Sequence, residues 1–158
     1  MSIQDNTKEY IYERAAFYYN YLLNSNECQH AVDYLEKRHI SLNTANNFML
    51  GATLPFSNKQ KRVNNMTIEL SEYVNINDII SSKLSSAFVD KQDNAVFVYD
   101  YFGPCRIIIP IMDINKPIYF TSRTTLPSKI PHKHLQSDSA IKNIFNQSVL
   151  CSKAREIY

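Results

Sequence analysis

The chain has 158 residues, 44% of them hydrophobic and 20% charged, with a net charge of +2. That is the size of one domain, long enough to bury a core without disulfide or metal staples. Only 2 glycines are present, too few for a dinucleotide or Walker-type phosphate loop, so mechanisms of that kind are excluded.

Helical spacing of Tyr10, Ala15, Tyr18 and Leu22 predicts a helix over 7–24. Asn24-Ser25-Asn26 stops it, and Ser25 or Asn26 can cap a second helix over 27–38 that places Ala31, Tyr34 and Leu35 on one face. Ser41 is the N-cap candidate for a short helix over 42–48. Residues 55–72 are polar and basic (Lys59, Lys61, Arg62) and read as a surface loop with one short strand near Met66–Leu70. Asn77 or Asp78 can cap a helix over 78–86.

The second half changes period. Residues 95–99 and 106–111 are β-branched runs of strand length. Asn115-Lys116-Pro117 reads as a turn, and residues 118–121 as the return strand, giving a meander of about three strands. Residues 124–138 are irregular, and a last helix is expected over 138–146 before the tail 149–158. Helices first and antiparallel strands second make an α+β chain: a helical unit over 1–50, then a mixed unit with a small antiparallel sheet and a few flanking helices over 51–158.

Several chemistries can be weighed from residue types. No run of 18 apolar residues exists, so no membrane contact is expected, and the polar N-terminus lacks a signal-peptide core. Cys28, Cys105 and Cys151 are far apart and odd in number, which suits inert thiols in a reducing cytoplasm. His132-Lys133-His134 has the spacing of a metal-binding pair, yet Asp138 is the only nearby third ligand, and an exposed basic loop is the alternative. Glu13, Glu27, Asp33 and Glu36 read as solvated helix faces, and no DxD pair is present to hold catalytic magnesium. No complete catalytic constellation is visible, so none of the residues is assigned as catalytic.

The basic residues of the second half do form a pattern. Arg106 opens one strand and Arg123 closes the next, so antiparallel pairing brings them near each other, with Lys129, Lys133 and two histidines on the following segment. Arginine offers a planar fork for phosphate and lysine a point charge. With Tyr101, Phe102 and Tyr119 close in sequence, such a rim suits a nucleotide or single strand; an ordinary solvated rim is the alternative.

These same residues carry a resemblance. Arg106-Ile107-Ile108-Ile109-Pro110-Ile111-x-Asp113 resembles the R-I-I-F-P-I-x-D strand of bacterial DnaG-type primases. Tyr119-Phe120-Thr121-Ser122-Arg123 stands where that family has a G-F-G-G-R strand end, and Lys133-His134-Leu135-Gln136-Ser137 where it has K-Y-L-N-S. Ile144-Phe145-Asn146-Gln147-Ser148 is similar to its I-F-N-K-S stretch. Earlier in the chain, Ala16-Phe17-Tyr18, then Ala31-x-x-Tyr34-Leu35-Glu36-Lys37-Arg38, then Phe48-x-Leu50-Gly51 follow the family order, so the likeness covers about residues 12–150.

The resemblance implies the N-terminal subdomain of the primase catalytic core, which binds single-stranded DNA template and nucleoside triphosphates during primer synthesis. The zinc-binding part and the magnesium-holding TOPRIM part would lie outside this chain, which is then inactive alone. The sites implied are Arg106, Arg123 and Lys133 on phosphates, His134 and Gln136 on a base or sugar, and Arg38 on the helical unit. Departures mark a divergent member, of the kind a phage or other mobile element carries. Pro104 replaces a family arginine, Thr121 and Ser122 replace glycines, and Gln147 replaces a lysine. The alternative is a standalone subunit that docks on a replication protein through its tyrosine-rich N-terminal helices, although tyrosines there also suit an ordinary core.

Overall fold

A computed structural model describes residues 4–56 and 62–136. The helix expected over 138–146, the tail after it, and Lys59 and Lys61 lie outside the described residues. Helix α1 spans Asp5–Leu23 and buries Ile11, Tyr12, Ala15, Ala16, Tyr19, Leu22 and Leu23. These recur every three or four residues, the spacing that aligns side chains on one helix face. Tyr10, expected on that face, points outward instead, as does Tyr21. Of the five N-terminal tyrosines, Tyr12 and Tyr19 therefore serve the core, and Tyr18 is half-buried.

A 3-10 turn over Asn26–Cys28, capped by the Ser25 hydroxyl, leads into α2 (Gln29–Lys37). The left-handed His39, with φ of 62°, ends that unit. Helix α3 (Leu42–Asn47) begins as the sequence predicts, with the Ser41 hydroxyl accepting from the amide of Thr44 at 3.1 Å.

Four expectations are corrected downstream. Residues Asn65–Ser71 form helix α4, not a strand, because Met66, Thr67 and Leu70 bury together against the core at helical spacing. Helix α5 is Ile76–Ser81, capped by the Asn75 side chain and not by Asn77 or Asp78. It stops before the left-handed Lys83, and the chain then enters strand β2 (Ser85–Val89). Strand β3 (Val96–Asp100) pairs antiparallel with β2 in a separate two-stranded sheet, so it is not part of the expected meander. The hairpin turn is Ile114-Asn115, both left-handed, which closes Asp113 onto Lys116 as a two-residue turn of the primed type. Pro117 already belongs to the return strand, beside an irregularity between Ile111 and Met112. A bulge suits proline, which has no N–H to give the ladder.

The main sheet runs β1-β4-β5-β6, all antiparallel, with β1 at Gly51–Ala52, β4 at Arg106–Asp113, β5 at Lys116–Thr124 and β6 at His132–His134. Strand β6 falls in the stretch expected to be irregular. Helix α1 packs on β1 and β5. One core cluster joins α1, α4 and α5 to Phe102, Ile108, Phe120 and Leu135; a second joins the end of α1 and α2 to Ala52 and Ile107. Both clusters cross position 50, so the helical and mixed units share their cores.

Candidate nucleic-acid interface

Pairing of β4, β5 and β6 does bring the basic residues of the second half together. Arg106 sits opposite Thr124, and Arg123 opposite Ile107 on one side and His132 on the other. Ser122 pairs with Lys133 and Thr121 with His134. Alternation along a strand then divides the set between two faces. Arg106, Ser122 and Lys133 share the face that packs on the α1 core, while Thr121, Arg123, His132 and His134 share the other.

On the core-side face Arg106 is buried, only 7% exposed. Its guanidinium donates to the Ser122 hydroxyl at 3.2 Å and the Ile130 carbonyl at 2.7 Å, and burial pulls it below the usual arginine range. Lys133 is half-buried and donates to the Tyr101 carbonyl, with its ammonium 4.3 Å from the centre of the Tyr101 ring. Burial, and then the nearby Arg106, lower its pKa. The Tyr101 hydroxyl donates to the His134 carbonyl at 2.8 Å, so this one tyrosine holds β6 through two of its three residues. Sequence reasoning names Tyr101 only as a neighbouring aromatic; the pairing of β6 reveals it as a positioning residue.

On the opposite face Arg123 donates through Nη1 to Nε2 of His132 at 2.8 Å. Its Nε is buried with no hydrogen-bond partner among the described residues. An unsatisfied buried donor is costly and calls for a partner from outside the chain, such as a water or an ion, or for strain stored there. Nδ1 of His134 lies 2.6 Å from the Thr121 hydroxyl. Thr121 and Ser122 thus tie the neighbouring strands together, Thr121 through His134 and Ser122 through Arg106 and the Lys133 carbonyl. Gln136 is exposed just past β6. Arg38 stands on a different element, at the end of α2, exposed and stacked 4.9 Å from the Tyr34 ring centre. Lys129 is exposed on the loop before β6. Among the described residues no three His, Cys, Asp or Glu side chains converge to hold a metal, and no helix is long and apolar enough to cross a membrane.

A carboxylate also borders this region. Asp100 accepts from the Tyr19 hydroxyl at 2.9 Å and the Phe102 amide at 2.8 Å, and burial raises its pKa to about 6. An unfolded aspartate titrates near ~3.9. Between those values the folded chain holds a proton that the unfolded chain has released. This contribution to stability therefore falls as pH rises through about 6. Asp100→Asn removes the penalty while keeping an acceptor for the turn. Its stability relative to the parent is expected to rise by about 2 kcal/mol from pH 4 to pH 8. Urea unfolding at the two pH values checks this, and an equal effect at both contradicts it.

With this geometry in hand, comparison with known proteins is decisive. The family described as DNA primase catalytic core, N-terminal domain, matches residues 18–151. The chain belongs to that family. No curated protein matches this primase-core domain. Its fold is similar to a DnaG primase catalytic domain bound to single-stranded DNA, at 18% identity and a TM-score of 0.67 over 85% of this chain and 38% of that one. It is also similar to the Mycobacterium tuberculosis primase RNA polymerase domain in complex with a double-stranded DNA oligomer carrying a 6-nucleotide overhang (16% identity, TM-score 0.70, 87% of this chain, 40% of that one). A Pseudomonas aeruginosa DNA primase domain gives 22% identity and a TM-score of 0.60 over 84% of this chain and 39% of that one. At these identities the likeness speaks for the fold. The primase-core domain described here spans about two fifths of the length of each of these structures.

Proposed function

We propose that this domain is the template- and nucleotide-binding part of a DnaG-like primase acting in RNA primer synthesis during DNA replication. The observation that carries the reading is the pairing of β5 with β6, which gathers Arg123, Lys133 and His134 into three adjacent rungs of a primase-family sheet. The buried, unpartnered Nε of Arg123 supports a phosphate there, and the exposed Gln136 and His134 suit a base or sugar. Arg106 is a weaker contact than Arg123, since its guanidinium is already held by Ser122 and Ile130; it stiffens the strands that carry the others. Arg38, on α2, would reach a more distant phosphate. Magnesium and its carboxylates would come from a TOPRIM part, which is also the expected protein partner, and the work would be done in the cytoplasm.

The test is binding of this chain to a fluorescent oligo-dT as salt is varied. Affinity is expected to fall with salt, and Arg123→Ala to reduce the log–log slope by about 0.7, the share of one phosphate on a single strand. Lys133→Ala is expected to act similarly. Salt-independent binding, or slopes unchanged in both variants, would overturn the reading.

A further inference from the structure

A second site of different chemistry opens between α1 and the β2–β3 hairpin. It is a cleft of about 600 Å³, well within the range of ligand sites. Its inner walls are apolar, from Leu22, Leu54, Met66 and Val98. Its mouth is also apolar: Phe56, Phe88 and Tyr99 line it and are 56%, 55% and 49% exposed. Single exposed apolar residues are ordinary, but a contiguous group rimmed by polar residues marks an interaction site.

The charge of this cleft is opposite to that of the basic strands. Among the described residues no Lys, Arg or His lines it, and its carboxylates are Asp90 and Asp100. Asp100 is held by the Tyr19 hydroxyl and the Phe102 amide, both neutral donors. The nearby cation, Lys133, donates to the Tyr101 carbonyl and attracts Asp100 only at longer range, outside ion-pair distance. Among the described residues Asp100 thus presents a half-buried carboxylate with no ion pair to an apolar space, where a cation gains more than it would in water. A nucleic-acid backbone is repelled by the two carboxylates. A second copy of this cleft would set Asp90 and Asp100 against their own like charges.

We propose that this cleft receives a segment of a partner polypeptide bearing a large apolar side chain next to a lysine or arginine, the apolar group between Phe88 and Leu54 and the cation at Asp100. The nucleic-acid reading uses none of the residues that line this cleft; the two share only Lys133, the cation nearest Asp100.

The experiment is a chemical-shift titration of the ¹⁵N-labelled chain with two probes, acetyl-Ala-Phe-Lys-Leu-Ala-amide and its Lys-to-Glu counterpart. The lysine peptide is expected to shift the amides of Val98, Tyr99, Asp100 and Gly103, and the glutamate peptide to bind about tenfold more weakly, as loss of a charge-assisted hydrogen bond requires. Asp100→Asn should erase the preference for lysine. Phe88→Ser, at an exposed position that cannot unfold the core, should weaken both peptides. Equal binding of the two peptides, shifts that avoid the cleft, no shift with the lysine peptide at millimolar concentration, or the same amides shifted by oligo-dT would each overturn the proposal.

Discussion

Gly51→Ala is expected to destabilise the chain by about 3 kcal/mol or more, at the upper end of what overpacking costs. The reason is space. A Cβ at position 51 would stand 2.4 Å from the Cβ of Tyr19, 2.7 Å from its carbonyl carbon and 3.0 Å from the amide nitrogen of Asn20. These atoms belong to the α1 backbone and its first side-chain carbon, so no rotamer change relieves the contact. Strand β1 must retreat from the helix. It would then lose its register with β4, Gly51 to Ile108 and Ala52 to Ile107, and strain the hydrogen bond from the Asn20 side-chain Nδ2 to the Leu50 carbonyl. The second glycine is a control. Gly103 has open space around it but a φ of +77°, so Gly103→Ala should cost only the left-handed penalty of about 1 kcal/mol. Urea unfolding of both variants checks the contrast, and a Gly51→Ala cost no larger than that of Gly103→Ala contradicts it.

Phe120→Ala should rival it, at about 3–5 kcal/mol, through the cavity it leaves. Phe120 is fully buried on β5, where α1 crosses the sheet. Its ring meets Tyr12 edge-on at 5.4 Å between centres and Tyr19 at 6.3 Å. Both tyrosines anchor polar contacts, Tyr12 to the Ser82 carbonyl and Tyr19 to Asp100, so their freedom to close the void is limited. A fall in melting temperature of roughly 10 °C is expected for a domain of this size. Phe17→Ala, on the exposed side of α1, should leave it almost unchanged.

Much of this fold is legible from local chemistry. Ser41 marks the start of α3, and the β-branched runs at 106–111 and 118–121 become the two longest strands. Helix α4 is not legible, because Asn64, Asn65 and Thr67 favour turns locally and only burial of Met66 and Leu70 on α1 decides for helix. Pairing of β3 with β2 is a choice of partner that no local pattern encodes. The turn at Ile114-Asn115 is misread because Pro117 draws attention, yet proline here sits at a strand irregularity.

That turn matters for the site. Register is set by the turn, and a shift of one residue moves every side chain to the other face. The sequence places Arg106, Arg123 and Lys133 at one rim. It does not reveal that Arg106 and Lys133 lie beneath the sheet and Arg123 above it. Nor does it show that Thr121 and Ser122 hold His134 and Arg106. Family membership was legible because motif order survives even where individual residues have changed.

Template binding at the β5–β6 edge is read residue by residue in a chemical-shift titration of the ¹⁵N-labelled chain with oligo-dT. Shifts are expected to concentrate on β5 and β6, at Arg123, Lys133, His134 and Gln136, to weaken as salt is raised and to vanish in an Arg123→Ala, Lys133→Ala double variant. Shifts that leave β6 untouched, or binding that survives the double variant unchanged, would contradict it.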